Sequence, residues 1–238
     1  MWESACARVT NSAAGLVTPH IRKDESVVWR VAGSAFMVAR QPQPTFLTCA
    51  HVLLDGHQRA RGRFKAATGF GALGSHPVVP DLTILAVKSE IDATLFQVDA
   101  DVRCTPVVFA SVPQMATGMA VAALGCPLPS EYESVGGGVG SLAVELRLAV
   151  GWVSSIGSYV RFPATLYTSP DLLHHEINTL GYPGISGAPL FNLEGTVVGM
   201  MRGTKLDKGQ VVAPYSYANR LAELLDFLNE SGIPYAVA

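Results

Sequence analysis

No Cys-x-x-Cys pair, no apolar run long enough to cross a membrane and no dense block of one charge occurs in this sequence. Its four cysteines, Cys6, Cys49, Cys104 and Cys126, lie far apart. That spacing speaks against a zinc site and against a dense disulfide framework. Cys49 and Cys126 stand among apolar residues and are expected in the core. The formal net charge is only −2, so nothing points to nucleic acid. The one basic cluster, Arg59-Ala60-Arg61-Gly62-Arg63 with Lys65, reads as a solvated loop. Met1-Trp2-Glu3-Ser4 lacks the basic start and apolar stretch of a secretion signal. These absences favour a reduced, cytoplasmic protein with no membrane partner.

What is present is a globular composition. The 238 residues are 49% hydrophobic and 15% charged, enough to build a sizeable core. With 23 glycines and 15 prolines among many short Val, Leu and Phe runs, strands are favoured over helices. Strands are expected at 27–31, 33–39, 45–49, 82–87, 92–98 and 119–125, with two more across 143–162 and a hairpin around Asn192-Leu193-Glu194-Gly195. Residues 1–25 are ambiguous. Near the end, Leu221, Leu224, Leu225 and Leu228 fall at helical spacing, with Ser216 as a cap and Gly232-Ile233-Pro234 as a stop. This helix is expected to pack on the second half of the chain.

Three residues stand where chemistry is expected. Gly184-Ile185-Ser186-Gly187-Ala188-Pro189 sets a serine at the lip of a glycine-flanked turn. Thr45-Phe46-Leu47-Thr48-Cys49 leads into Ala50-His51-Val52-Leu53 and delivers a histidine to the end of a sheet. Asp92 opens the strand Ala93-Thr94-Leu95-Phe96, and Asp81 has a similar context, so it is a rival. His51, Asp92 and Ser186 come in the order His, Asp, Ser, separated by 41 and 94 residues. Serine is a weak nucleophile near neutral pH and needs an imidazole to take its proton. A carboxylate then fixes the imidazole tautomer and stabilises the imidazolium. The amides of Gly184 and Ser186 are placed to hold an oxyanion. His174-His175-Glu176 has too few companions to hold a metal, and no metal or cofactor is expected.

The sequence resembles the trypsin-like serine proteases, and within them the protease domain of the HtrA/Deg type. Gly33-Ser34-Ala35-Phe36 with Leu47-Thr48-Cys49-Ala50-His51-Val52 is similar to the family's histidine segment. Leu85-Ala86-Val87 through Phe96 is similar to its aspartate segment and favours Asp92 over Asp81. Ala122 to Pro127, Gly151-Trp152-Val153-Ser154 and the Ser186 motif follow in family order, with Ala188 where glycine is usual. The resemblance runs from about residue 14 to 230 and implies two six-stranded antiparallel β-barrels with the site between them, the chain ending in a helix. It departs from the family in two places: there is no internal Ile-Val-Gly-Gly start, and no room after Ala238 for the PDZ domain that usually follows.

The expected division is 1–112, a lobe carrying His51 and Asp92, and 113–238, a lobe carrying Ser186. The resemblance puts Leu180 at the floor of the specificity pocket, with Met200, Met201, Arg202 and Gly203 as its wall. An apolar floor disfavours cleavage after Lys or Arg. The expected activity is an intracellular serine endopeptidase acting on polypeptides after small or medium apolar residues. The other reading is a catalytically silent module that keeps the fold and binds peptide. A regulatory protein partner or an oligomer is left open. The glycine run Gly136–Gly140 is read as a loop that orders when substrate or a partner binds, or else as a plain surface loop.

Overall fold

The computed structural model describes residues 2–25, 27–55, 59–68, 76–79, 82–111, 115–126, 131–132, 141–142, 145–159, 173–179, 181–207 and 210–238. The fold is chymotrypsin-like. In the first half, Ala13–Ile21 and Val27–Ala39 form a long antiparallel hairpin. Val27–Ala39 then pairs with Thr45–Cys49, which pairs with Ala93–Val98, which pairs with Leu82–Lys88. On the other side, Ala13–Ile21 pairs with Lys65–Ala67, and that strand with His76–Val79. In the second half, six strands run in the order Pro189–Phe191, Ala120–Gly125, Arg147–Tyr159, Leu173–Asn178, Gln210–Arg220 and Val197–Asp207. Pairing of Pro189–Phe191 with Val197–Asp207 closes them into a barrel.

Several strands are longer than their local pattern suggests. Val27–Ala39 is one strand rather than two, because Gly33 does not interrupt it. A Cβ there would meet the Val52 side chain at 2.7 Å and the Ser186 carbonyl at 3.1 Å, so glycine permits close approach instead of a break. Arg147–Tyr159 is likewise a single strand with bulges.

Each terminal helix buries side chains in a core that includes residues of the other half of the chain. Trp2–Thr10, which the sequence left ambiguous, lays Ala5 and Val9 on Ala122, Leu124 and Phe191 of the second barrel. Leu221–Glu230 inserts Leu221, Leu224, Phe227 and Leu228 into the core that holds Phe36, Phe46 and Phe96. The C-terminal helix lies on Val197–Asp207, as expected of a helix packed on the second half, and the core it fills is shared with the first half. Helical periodicity names the buried face but not its partner. Ser216 is no cap. It is buried in the preceding strand, and Arg220 holds the cap position without a side-chain bond. Each fully buried Leu or Phe side chain contributes roughly 1.5–3 kcal/mol, so the terminal helices tie the halves together.

Candidate active site

His51 stands on the one-turn helix Ala50–Leu53, directly after Thr45–Cys49. The first two backbone donors of this turn are taken by one residue. Ala50 N donates to the Asp92 carbonyl at 3.0 Å, and His51 N donates to Asp92 Oδ1 at 2.9 Å. Asp92 follows the short 3-10 turn Ser89–Ile91 and is itself left-handed, at φ 52° and ψ 45°. Asp is among the few non-glycine residues that visit this region readily. The twist aims its carboxylate back at His51, whose Nδ1 lies 2.6 Å from Asp92 Oδ2. Asp92 is 2% exposed and the His51 side chain 24%, so the carboxylate is buried while the imidazole keeps an open edge.

A third group completes the carboxylate's shell. Arg202 Nε donates to Asp92 Oδ2 at 3.0 Å, and the Arg202 side chain is 3% exposed. Register slips between Met201 and Gly203 in the strand Val197–Asp207, and beside this bulge Arg202 reaches Asp92. Nothing in the sequence reading foresaw this contact. The signal was the arginine itself, a charge directly after the apolar run Val197-Val198-Gly199-Met200-Met201, which must find a partner if buried.

Ser186 sits in the turn between Tyr182 and Pro189. Ile185 N donates to the Tyr182 carbonyl at 3.1 Å and Ala188 N to the Ile185 carbonyl at 2.9 Å. Gly184 and Gly187 take positive φ, 98° and 86°. A Cβ at Gly187 would lie 2.0 Å from the Ser34 carbonyl oxygen, so only glycine fits. Ser186 Oγ donates to the Arg202 carbonyl at 2.9 Å. Among the described residues no hydrogen bond joins it to His51. The amides of Gly184 and Ser186 donate to no protein acceptor among the described residues. The Tyr182 hydroxyl lies between the carbonyls of Arg147, at 2.6 Å, and Gly125, at 3.1 Å, and burial pushes it well above the usual tyrosine range.

The structure thus brings His51 and Asp92 into contact, and Arg202 links Asp92 to the Ser186 turn. The residues expected along the pocket wall differ in where their side chains go. Met200 and Met201 are fully buried, one in the core shared with the first half and one inside the second barrel. Arg202 is turned onto Asp92. Of the four, Gly203 alone faces open space. Alternation along the strand sends the neighbouring Met200 and Met201 side chains into different cores. Leu180, Asp81 and the Gly136–Gly140 run lie outside the described residues.

The donor atoms of Cys49, His51 and Asp92 all lie within 4.8 Å of one another. Their chemistry suits a hydrogen-bonded site better than a metal. Burial first, then the Asp92 charge, pushes the Cys49 thiol well above its ordinary range. Its Sγ lies 3.3 Å from the Met201 carbonyl. Asp92 Oδ2 is already engaged by His51 and Arg202, and a guanidinium beside the site repels a cation.

The family model described as the trypsin-like peptidase domain matches residues 33–200, well over half of the chain. The chain belongs to that family. It is therefore a peptidase domain, and the fold implies polypeptide substrates. No curated protein matches the sequence. Solved structures show the same fold. The active form of the Rv3671c protease from M. tuberculosis superposes with a TM-score of 0.67 at 20% identity, covering 98% of this chain and 86% of that one. An HtrA-type protease, AlgW, solved with a tripeptide, superposes with a TM-score of 0.68 at 16% identity, covering 97% of this chain and 63% of that one. No helix among the described residues of this peptidase domain is long and apolar enough to cross a membrane.

Proposed function

We propose that this peptidase domain is a serine endopeptidase in which His51, Asp92 and Ser186 act as a triad. The observation that carries the reading is the 2.6 Å contact between His51 Nδ1 and a buried Asp92 carboxylate. Asp92 keeps the Nδ1 proton in place and leaves Nε2 free as a base. Rotation of Ser186 about χ1 moves its hydroxyl from the Arg202 carbonyl toward His51. Ser186 Oγ then attacks the scissile carbonyl carbon as its proton passes to His51 Nε2. The carbonyl π electrons move to oxygen, and the amides of Gly184 and Ser186 hold that oxyanion, worth about 3–4 kcal/mol per donor in a measured protease case. The C–N bond breaks and the leaving amine takes the proton from His51, giving an acyl-enzyme. Water then attacks the acyl carbon as its proton passes to His51 Nε2, the ester C–Oγ bond breaks, and Ser186 Oγ takes the proton back from His51 as the acid leaves.

The preferred residue before the cut is small or medium and apolar. Leu180 at the inferred floor supports this, because an unpaired cationic side chain buried there costs several kcal/mol. A reducing, intracellular setting is supported by Cys6, Cys49, Cys104 and Cys126 standing outside disulfides, three of them buried.

One observation favours the silent module instead: Ser186 Oγ is bonded to the Arg202 carbonyl and not to His51. A fluorophosphonate probe separates the readings. Covalent labelling at Ser186, mapped by mass spectrometry and accompanied by digestion of casein, is the expected result. A folded protein with no adduct at Ser186 overturns the hydrolase. Sequencing of cut sites in a denatured protein mixture tests the pocket, and a dominant Lys or Arg before the cut overturns the apolar preference.

A further inference from the structure

We propose that Arg202 is the positioning residue of this site, a fixed cation that holds the Asp92 carboxylate toward His51 while its own carbonyl holds the resting Ser186 hydroxyl. The proposal rests on the triad reading above. Three observations meet at this one residue. Arg202 Nε donates to Asp92 Oδ2 at 3.0 Å, and the same oxygen takes His51 Nδ1 at 2.6 Å. The Arg202 carbonyl accepts Ser186 Oγ at 2.9 Å. Both charged side chains are almost wholly buried, at 3% and 2% exposure.

Burial makes this pair consequential. A carboxylate taken from water needs its lone pairs satisfied and its charge offset. Among the described residues Asp92 Oδ1 accepts from the His51 amide alone, so the guanidinium supplies the permanent opposite charge. A protonated His51 is then no longer the sole counter-charge of Asp92. Arginine suits the task because it stays protonated at any working pH and presents its donors in a rigid fork.

The groups that face this cluster come from four elements. His51 comes from the one-turn helix, Cys49 from the strand before it and Arg202 from the strand Val197–Asp207. The C-terminal helix contributes Glu223, which interacts electrostatically with both Arg202 and Arg220. Burial raises the Glu223 carboxyl above the usual range, and these two arginines oppose that rise. The Cys49 thiol is held protonated by burial, so it adds no charge. Arg202 is therefore the one cation in hydrogen-bond contact with Asp92 among the described residues.

The consequence is a pH effect with a defined sign. Removing the guanidinium leaves Asp92 to be neutralised by His51 alone, which favours imidazolium and silences the base at higher pH. Arg202→Ala should move the acidic limb of Ser186 fluorophosphonate labelling upward by roughly one pH unit, as expected for a neighbouring charge at this range. Arg202→Lys keeps the charge without the fork, so it should label more slowly on the plateau with the limb unmoved. Labelling rates are followed from about pH 5 to about pH 9, with far-ultraviolet dichroism as the folding control. Should Arg202→Ala fail to fold, Arg202→Gln retains a donor without charge and should show the upward limb. A slower plateau with an unmoved limb in the uncharged variant means a merely structural residue and overturns the proposal. Wild-type rate and limb in that variant overturn it too, while leaving the triad intact. A folded wild-type protein that never labels at Ser186 overturns the triad reading and this role together.

Discussion

Ser34 and Gly184, 150 residues apart in the chain, are joined by a 2.7 Å hydrogen bond in which the Ser34 hydroxyl donates to the Gly184 carbonyl. The same hydroxyl accepts from Cys126 N at 2.8 Å, while Ser34 N donates to the Ser186 carbonyl at 2.8 Å. The Ser34 carbonyl in turn accepts from Thr48 Oγ1 at 2.7 Å. One buried serine of the histidine half thereby pins both sides of the nucleophile turn and the strand leading to Cys126.

Ser34→Ala should therefore weaken catalysis without emptying the core. It leaves the Gly184 carbonyl and the Cys126 amide buried without a partner, at about 1–3 kcal/mol each. The expected result is a lower melting temperature and a kcat reduced by roughly tenfold or more, with KM little changed, because the turn and not the substrate groove loses its support. Unchanged kcat and melting would detach Ser34 from the turn's geometry.

The triad residues should differ in cost. Ser186→Ala should reduce kcat by about 10⁶, since members of such a unit fail together. Asp92→Asn should cost on the order of 10⁴ through the wrong imidazole tautomer. Asp92→Asn should also lower the melting temperature, because the buried Arg202 loses its counter-charge. Stopped assays with a casein or peptide substrate, beside melts of each variant, check both. A Ser186→Ala protein that still cleaves would remove Ser186 from the reaction.

How much of this was visible beforehand follows from which forces are local. The His51 turn, the Asp92 strand and the Ser186 turn announce themselves because strand alternation and glycine turns are written over a few neighbouring residues. The Trp2–Thr10 helix does not. Only Ala5 and Val9 of its apolar side are buried, and they become a face once Phe191 lies beneath them. Arg202 could be flagged as a buried charge, but its partner is 110 residues away and is brought to it by a bulge. Met200 and Met201 read as a pocket wall in a linear motif, yet sequence alone does not say which barrel core each side chain enters.

Gly187→Ala should be more damaging than its single methyl suggests. The residue has φ 86°, and the added Cβ would fall 2.0 Å from the Ser34 carbonyl oxygen and 2.4 Å from Thr48 Oγ1. Neither the left-handed backbone nor the contact can relax without moving the Ser34 pin. Loss of labelling at Ser186 and destabilisation of at least about 2–3 kcal/mol are expected from strain and overpacking. Urea titration of the variant gives the stability term, and wild-type stability with intact labelling would contradict the packing described.

Thiol chemistry should divide the cysteines. Cys49, Cys104 and Cys126 are buried, and burial pushes the Cys49 and Cys126 thiols well above their ordinary range. The thiolate is the reactive form. In the native protein a thiol reagent such as DTNB should therefore reach Cys6 alone, and slowly, since its thiol is raised as well. All four should react in denaturant. Rapid native modification of Cys49 would mean that the site behind His51 opens to solvent.

His175 should make the fold sensitive to mild acid. It stands in Leu173–Asn178 at 5% exposure, and its Nδ1 has no hydrogen-bond partner among the described residues. Burial first, and the Arg220 charge second, push its imidazole down to about 4. In the unfolded chain the same imidazole takes a proton near its ordinary value of about 6.5. Above about pH 6.5 both states are neutral and His175 contributes no pH dependence. Between about 6.5 and 4 the unfolded state binds the extra proton, so stability falls as pH falls. Below about 4 both states carry the charge and the loss stops, having reached at most about 3 kcal/mol. Glu223 acts with the opposite sign, because its raised carboxyl is protonated more readily in the folded state. A comparison of wild type with His175→Phe cancels that contribution, leaving His175 as the difference. The phenylalanine variant should match or exceed wild-type stability at about pH 7, since it removes an unpartnered nitrogen. It should then lose less stability on the way to about pH 4.5. Urea midpoints at several pH values measure both slopes, and parallel slopes would place the proton elsewhere than on His175.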